Sequence, residues 1–276
     1  MHPSKNNFGK PSPLPLNMPR FQFVPKHEVS EFFPRRTKYC FVPIVYNEGD
    51  RFRRQLTEMA PRSHLADILV AERRSTDGST DTSFLRSLGV RALLTTDAKG
   101  GATAIRMALL YALNEGYHGV VLIDGNGKDG VEALEDYLIK LDEGYDFVQG
   151  SRFVIGGKHR NTPLARIIGI KYVMAPLAFI GTGFWYTDVM NGFRGYSRRY
   201  LLDPQVEPLR ECFNHFNLQY YLSIRAPQLH FRVIEIPVSR EYPASGPLPT
   251  KVVGFHSNLD ALWKMVLTVL GKYNPP

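Results

Sequence analysis

Asp124 and Asn126 stand two residues apart at the end of an apolar run, Val120 to Ile123, in the stretch GVVLIDGNGKDG (119–130). A carboxylate followed two residues later by a second oxygen-bearing side chain can present both to one hard cation. Mg2+ or Mn2+ held in this way bridges the phosphates of a nucleotide. The run itself has the pattern of a buried parallel strand, and the carboxyl end of such a strand is where open α/β sheets bind ligands. The competing reading is a strand that simply enters a Gly/Asn turn, which on these residues alone is the commoner arrangement.

Other elements must bring partners to that edge. Tyr39 to Val45 reads as a short strand ending at Tyr46-Asn47-Glu48, with a helix from Arg51 to Met59 that Asp50 would cap. Ala66 to Ala71 is a second strand, opening onto the loop Glu72 to Asp81 and a helix from about Thr82. Val90 to Leu94 is a third strand and Ala102 to Asn114 an amphipathic helix behind Lys99-Gly100-Gly101. After the strand at 119–123 come a helix over 130–142 and a strand from Phe147 that ends in Gln149-Gly150-Ser151-Arg152. Strands alternating with helices at this spacing imply βαβ units, a mostly parallel sheet and right-handed crossovers. Asn47-Glu48, Glu72 to Asp77, Asp124 to Asn126 and Ser151-Arg152 then fall at one edge of the sheet.

The second half changes character. No Asp or Glu occurs from Phe147 to Thr187, whereas Arg152, Lys158, Arg160, Arg166 and Lys171 are basic. Such a run is usually a solvated face; here it follows the candidate diphosphate edge and is interleaved with apolar residues, which suits an anionic substrate or membrane headgroups. Tyr172 to Thr187, interrupted by Pro176, Gly181 and Gly183, reads as too short and too broken to span a bilayer. Asp188 is followed by Asn191-Gly192-Phe193-Arg194. Phe231 to Val238 is a further strand, Ala244 to Pro249 a Gly/Pro-rich loop before Thr250-Lys251, and Asn258 to Leu270 an apolar-faced helix carrying Trp263.

The order of these motifs resembles family 2 glycosyltransferases of the GT-A fold, most of all the dolichyl- and polyprenyl-phosphate sugar transferases. Val42-Pro43-Ile44-Val45-Tyr46-Asn47-Glu48, Ser75-Thr76-Asp77-Gly78-Ser79, Gly100 to Leu109, Asp124-Gly125-Asn126-Gly127, Gly150-Ser151-Arg152-Phe153, Asp188 with Asn191-Gly192-Phe193-Arg194, and Glu235-Ile236-Pro237-Val238 with Arg240 and Lys251 are similar to that branch in sequence order. The resemblance implies an inverting transfer of a sugar from a nucleotide-diphosphate donor to a polyprenyl-phosphate or glycan acceptor, in making a cell-surface polysaccharide or lipid-linked sugar. It puts Pro43, Asn47, Glu48, Glu72, Asp77 and Asp124 on the donor side and Asp124 and Asn126 on Mg2+ or Mn2+. It gives Arg152, Arg194, Arg240 and Lys251 to the acceptor phosphate, and makes Asp188 the base for a hydroxyl acceptor. A polyprenyl phosphate, already an anion, needs no base. Three departures stand together on the donor side: Arg73 and Arg74 before Ser-Thr-Asp-Gly, Asn126 for the second aspartate of the metal motif, and Gly101 in place of the usual lysine. With Asn126, either the amide oxygen ligates the ion or arginine takes over its electrostatic role.

The 276 residues allow one large α/β domain: an extended or disordered arm over 1–36, a GT-A domain over 37–256 and a C-terminal amphipathic helix over 257–276. Cys40 and Cys212 suggest neither a disulfide framework nor a zinc cluster. With no apolar core at the N-terminus, the expected location is cytoplasmic, with peripheral contact at the inner face of the membrane. The net charge of +8 fits phosphorylated substrates or anionic lipid, and none of the nucleic-acid recognition modules is recognisable. A homo-oligomer is compatible with the sequence. Two alternatives are a catalytically silent GT-A-fold scaffold, which would bind donor without turnover, and a nucleotidyltransferase. The latter asks for a Gly-rich, basic loop after the first strand, where this chain has Tyr46-Asn47-Glu48.

Overall fold

The computed structural model of the chain describes residues 24–246 and 254–276. In chain order the elements are β1 (His27–Glu31), β2 (Tyr39–Val45), α1 (Gly49–Met59), β3 (Asp67–Glu72), α2 (Thr82–Ser87), β4 (Ala92–Thr96), α3 (Gly101–Asn114), β5 (Gly119–Asp124), α4 (Leu134–Asp142) and β6 (Phe147–Ser151). Then follow β7 (Lys158–Arg160), α5 (Leu164–Gly169), a π-helical turn (Ile170–Met174), α6 (Ala175–Thr182), β8 (Arg194–Ser197), α7 (Arg198–Leu202), α8 (Asn217–Gln228), β9 (Val233–Pro237), β10 (Ser239–Glu241) and α9 (Gly254–Val269). One sheet has the order β1-β4-β3-β2-β5-β8-β6-β9, and β10 pairs with β7 in a small second sheet. β4, β3, β2 and β5 are parallel to one another, as are β6 and β9, while β1 and β8 run antiparallel to their neighbours. The sheet is mostly parallel and flanked by helices, as the sequence implies.

Alternation along β2 fills two core layers. Cys40 and Val42 pack with α3 and α8, whereas Phe41 and Val45 pack with α1 and α4. α3 departs from its expected amphipathic character, since every residue from Ala102 to Leu113 is buried. It lies between the sheet and α8 and so has no solvent face. Pro43 is buried opposite Ile123 in β2. It has no N–H, and the β2–β3 register skips residues 42 and 43.

Three boundaries differ from the sequence reading. Residues 27–31, inside the stretch read as an arm, form the edge strand β1 against β4. Its register pairs His27 with Thr96 through Glu31 with Ala92, and at its solvent side Glu28 forms an exposed ion pair with Arg74, 2.8 Å away. α9 starts at Gly254 and so crosses the boundary drawn at 256/257. α5, the π turn and α6 run on as a single helix, Leu164–Thr182, long and apolar enough by length and composition to cross a membrane and only 22% buried. Pro176 does not break it because it follows closely on the π turn Ile170–Met174, where the regular i→i−4 ladder is already interrupted. The helix ends only at Gly183, which adopts φ 70° as a left-handed cap.

Candidate active site

The carboxyl ends of β2, β3, β5 and β6 carry the predicted loops, and the first two of these loops lock together. Asn47 Oδ1 accepts from the Thr76 N–H (2.8 Å), and Ser75 Oγ accepts from the Asn47 N–H (3.2 Å). Asp77 Oδ2 accepts from the Gly49 N–H (2.7 Å) at the start of α1, while its Oδ1 accepts from the Ser79 N–H and hydroxyl (3.0 and 2.6 Å). Burial works to raise the Asp77 carboxyl, but these hydrogen bonds outweigh it and hold the group below the usual carboxylate range. Glu72 is buried and accepts from the Ser75 N–H, the Thr80 hydroxyl and the Thr95 hydroxyl. Glu48 precedes α1 and pairs with Arg51 at 3.3 Å. The two departing arginines have separate partners: Arg73 lies 4.0 Å over the Tyr46 ring, and Arg74 pairs with Glu28 and Asp97. Pro43 sits within the sheet, opposite Ile123 of β5.

At the end of β5 the sheet turns sharply. The Gly125 N–H donates to Ile44 O (2.9 Å), and a Cβ there would lie 2.8 Å from a Val45 methyl. Gln55 of α1 braces the turn, donating to Asp124 O (2.9 Å) and accepting from the Gly127 N–H (3.1 Å). The Asp124 carboxylate rests on the backbone of Gly192, where a Cβ would come within 2.8 Å of its Oδ1. On its other side Arg240 Nη2 donates to Asp124 Oδ2 (3.1 Å), and Arg240 Nη1 donates to both oxygens of Asp129 (2.8 and 2.7 Å). Burial works to raise the Asp124 carboxyl, but Arg240 and Lys128 hold it below the usual range. Lys128 is buried; loss of solvent, with Arg240 close by, pushes its ammonium down to about 8.

A third group forms where β6 meets the loop before β8. Arg152 and Asp188, both buried, make a bidentate pair: Nε to Oδ2 (2.6 Å) and Nη2 to Oδ1 (2.8 Å). The Arg152 N–H adds a bond to Oδ2 (3.2 Å), and Glu235 of β9 accepts from the N–H groups of Thr187 and Asp188. Asp188, expected as a base, is therefore placed with both oxygens on Arg152. Arg194, expected on a phosphate, is 1% exposed and donates to the carbonyls of Val189 and Asn191 (2.8 Å each). Its position in the central strand β8 turns it inward, so it clamps the loop that carries Asp188. Arg152, Arg240 and Asp124 are brought to one edge; Lys251 lies outside the described residues.

The sequence reading passed over Lys128, Asp129 and Tyr242 and took Arg166 only as one of the basic residues of the acid-free run. Arg166 of α5 donates to the Tyr242 hydroxyl (2.9 Å), and the Lys128 ammonium lies 5.1 Å from the centroid of the same ring. Burial would raise this phenol, yet Arg240, Lys128, Arg166 and Arg152 together lower it. Lys128 and Asp129 belong to the 119–130 stretch, so their nearness to Asp124 was available from the sequence. Nothing there pointed to Tyr242.

No protein-family model matches the chain. Among known proteins, polyprenol monophosphomannose synthase of Mycolicibacterium smegmatis is 30% identical over 217 residues, 75% of this chain and 78% of the relative. The chain belongs to the family 2 glycosyltransferases. Within them it falls in the polyprenyl-phosphate sugar branch, and undecaprenyl-phosphate mannosyltransferase of Micrococcus luteus is a further relative, 28% identical over 200 residues (71% and 80%). The fold of this glycosyltransferase is similar to that of glucosyl-3-phosphoglycerate synthase from Mycobacterium tuberculosis, solved with Mn2+, UDP and phosphoglyceric acid. That likeness has a TM-score of 0.59 over 85% of this chain and 78% of the other, at 14% identity, and it speaks for the GT-A fold alone.

A divalent ion would have to be held by a sparse donor set. Among the described residues no three His, Cys, Asp or Glu side chains converge. Asp124 already contacts Arg240, and Asn126 brings an amide whose oxygen takes a long bond (3.4 Å) from the Lys128 N–H.

Proposed function

We propose that this glycosyltransferase moves a sugar from a nucleoside diphosphate to a polyprenyl phosphate at the cytoplasmic membrane surface. The observation that carries the reading is the junction at Tyr242. Lys128, Arg166 and Arg240 lie 5.1, 5.7 and 5.9 Å from the centroid of this one buried ring, and Arg240 also reaches Asp124 at 3.1 Å. Arg166 also belongs to the exposed apolar helix 164–182. Leu164, Ile168, Tyr172 and Ile180 of that helix are 71%, 48%, 73% and 77% exposed, and Trp185 and Trp263 lie open at 54% and 60%. Apolar surface of this extent marks a place of contact, and tryptophans favour the level of lipid headgroups. A lipid tail lying along the helix would bring its phosphate to the cations.

The loops after β2 and β3 receive the nucleoside, with Asn47, Glu48, Glu72 and Asp77 fixing their shape. Asp124 faces the sugar and diphosphate. An oxygen of the acceptor phosphate attacks the anomeric carbon as the bond from that carbon to the donor diphosphate breaks, and the electron pair leaves with the diphosphate. No proton has to be taken from the acceptor. Asp188 then acts as a positioning residue that holds Arg152 toward the phosphate.

The test is incubation of the full chain with labelled nucleotide sugars (UDP-, GDP-, CDP- and ADP-linked) and vesicles containing polyprenyl phosphate. Label from one donor should pass into the lipid phase as a sugar phosphodiester. No transfer from any donor, with nucleotide binding intact, would instead favour the scaffold reading.

A further inference from the structure

The loop Asp124-Gly125-Asn126-Gly127-Lys128-Asp129 and strand β10 form a single unit. The Gly130 N–H donates to Ser239 O (3.0 Å) and the Glu241 N–H to Lys128 O (2.8 Å), which fixes Arg240 opposite Asp129. Its guanidinium spans two carboxylates, contacting Asp129 at 2.7 Å and Asp124 at 3.1 Å. The Asp129 side chain is fully buried and that of Arg240 is 7% exposed. Lys128, 4% exposed, brings a second cation to the same unit. Asp124 and Asp129 are therefore matched by Arg240 and Lys128 before any ligand arrives, while Glu241 at the end of β10 pairs with Arg160.

Hard dications collect oxygen ligands that carry surplus negative charge. Here the one carboxylate on the open side is shared with a guanidinium, and Asn126 adds no charge. An entering dication would also meet Arg240 and Lys128 at close range. What the unit lacks is an anion. Two buried guanidinium nitrogens, Arg240 Nε and Arg152 Nη1, have no hydrogen-bond partner among the described residues, although the other nitrogens of both groups are paired with carboxylates. Phosphate oxygens accept from such N–H groups, whereas a metal ion cannot.

We infer that Arg240 and Lys128 stand in for the divalent ion, so that the nucleoside diphosphate binds, and departs after sugar transfer, without a metal. The inference rests on the proposed function for the nature of the ligand. The negative charge that gathers on the leaving diphosphate is met by cations fixed in advance, which is the arrangement that favours bond breaking.

Calorimetric titration of the full chain with UDP and with GDP, in EDTA and in saturating Mn2+, tests it. For the nucleotide that binds, the two Kd values should agree within about threefold, and Lys128→Gln should weaken both by roughly tenfold, the scale of one charge-assisted contact. Asn126→Asp combined with Lys128→Gln should create a response to Mn2+ that the wild type lacks, with circular dichroism reporting that the variant is folded. A wild-type Kd that weakens tenfold or more in EDTA and returns with Mn2+ overturns the inference and leaves the donor site standing. Absence of binding by either nucleotide in both buffers overturns the donor site, and the inference with it.

Discussion

The loop after β3 and the edge formed by β5, β6 and β10 both gather carboxylates, and they satisfy them in opposite ways. Glu72 and Asp77 accept from backbone N–H groups and hydroxyls, which organise the loop and leave their negative charge uncancelled. Asp124, Asp129 and Asp188 each meet an arginine. The first arrangement shapes a cleft with neutral donors. The second cancels acid against base and leaves two buried guanidinium nitrogens, Arg240 Nε and Arg152 Nη1, without a partner among the described residues. The same residue type thus serves shape in one region and charge balance in the other, and the partner decides which.

If this contrast is right, removing a carboxylate should cost most where it balances a buried cation. Asp188→Ala strands the Arg152 guanidinium in the interior, and urea unfolding should show a loss of about 3–5 kcal/mol. Arg152→Met with Asp188→Leu should recover much of that stability while abolishing transfer; failure of the pair to recover stability would contradict the charge-balance account. Gly192→Ala comes next. Its Cβ would press on Asp124 Oδ1, and a displaced carboxylate at the reacting edge should lower kcat/KM on the order of tenfold to a hundredfold, with little change in unfolding midpoint. Glu72→Gln keeps an acceptor oxygen but loses the charge that strengthens three hydrogen bonds. We expect a loss of roughly 1–2 kcal/mol, and a cost equal to that of Asp188→Ala would erase the distinction between the regions. Arg74→Ala should leave the unfolding midpoint unchanged, because its pairs with Glu28 and Asp97 are solvent-exposed.

The first half of the fold was legible because each strand is an apolar run closed by polar residues, so β2, β3, β5 and β6 fall close to where their patterns put them. β8 was not, since Arg194-Gly195-Tyr196-Ser197 has no apolar run; it earns its place as a short antiparallel strand between β5 and β6. α8 contains Pro227 near its end and shows little segregation of polar and apolar faces, because most of it is buried. The long helix 164–182 was obscured by Pro176 and Gly181, whose effect depends on where they fall in the turn. At the site, residue identities were readable and pairings were not. Arg240 reaches Asp129 across 111 positions and Arg152 reaches Asp188 across 36. The resemblance put Arg194 on the acceptor phosphate and made Asp188 the base for a hydroxyl acceptor, and neither assignment takes account of what each touches in the fold.

The central claim is that an acceptor phosphate, held by cations, attacks without help from a base. Its most direct test is to compare polyprenyl phosphate with the corresponding polyprenol as acceptor, at matched concentration in vesicles, and to follow product by mass spectrometry. The account predicts the sugar phosphodiester from the phosphate and no glycoside from the alcohol. Comparable transfer to the alcohol would contradict it, and would return Asp188 to the role of general base.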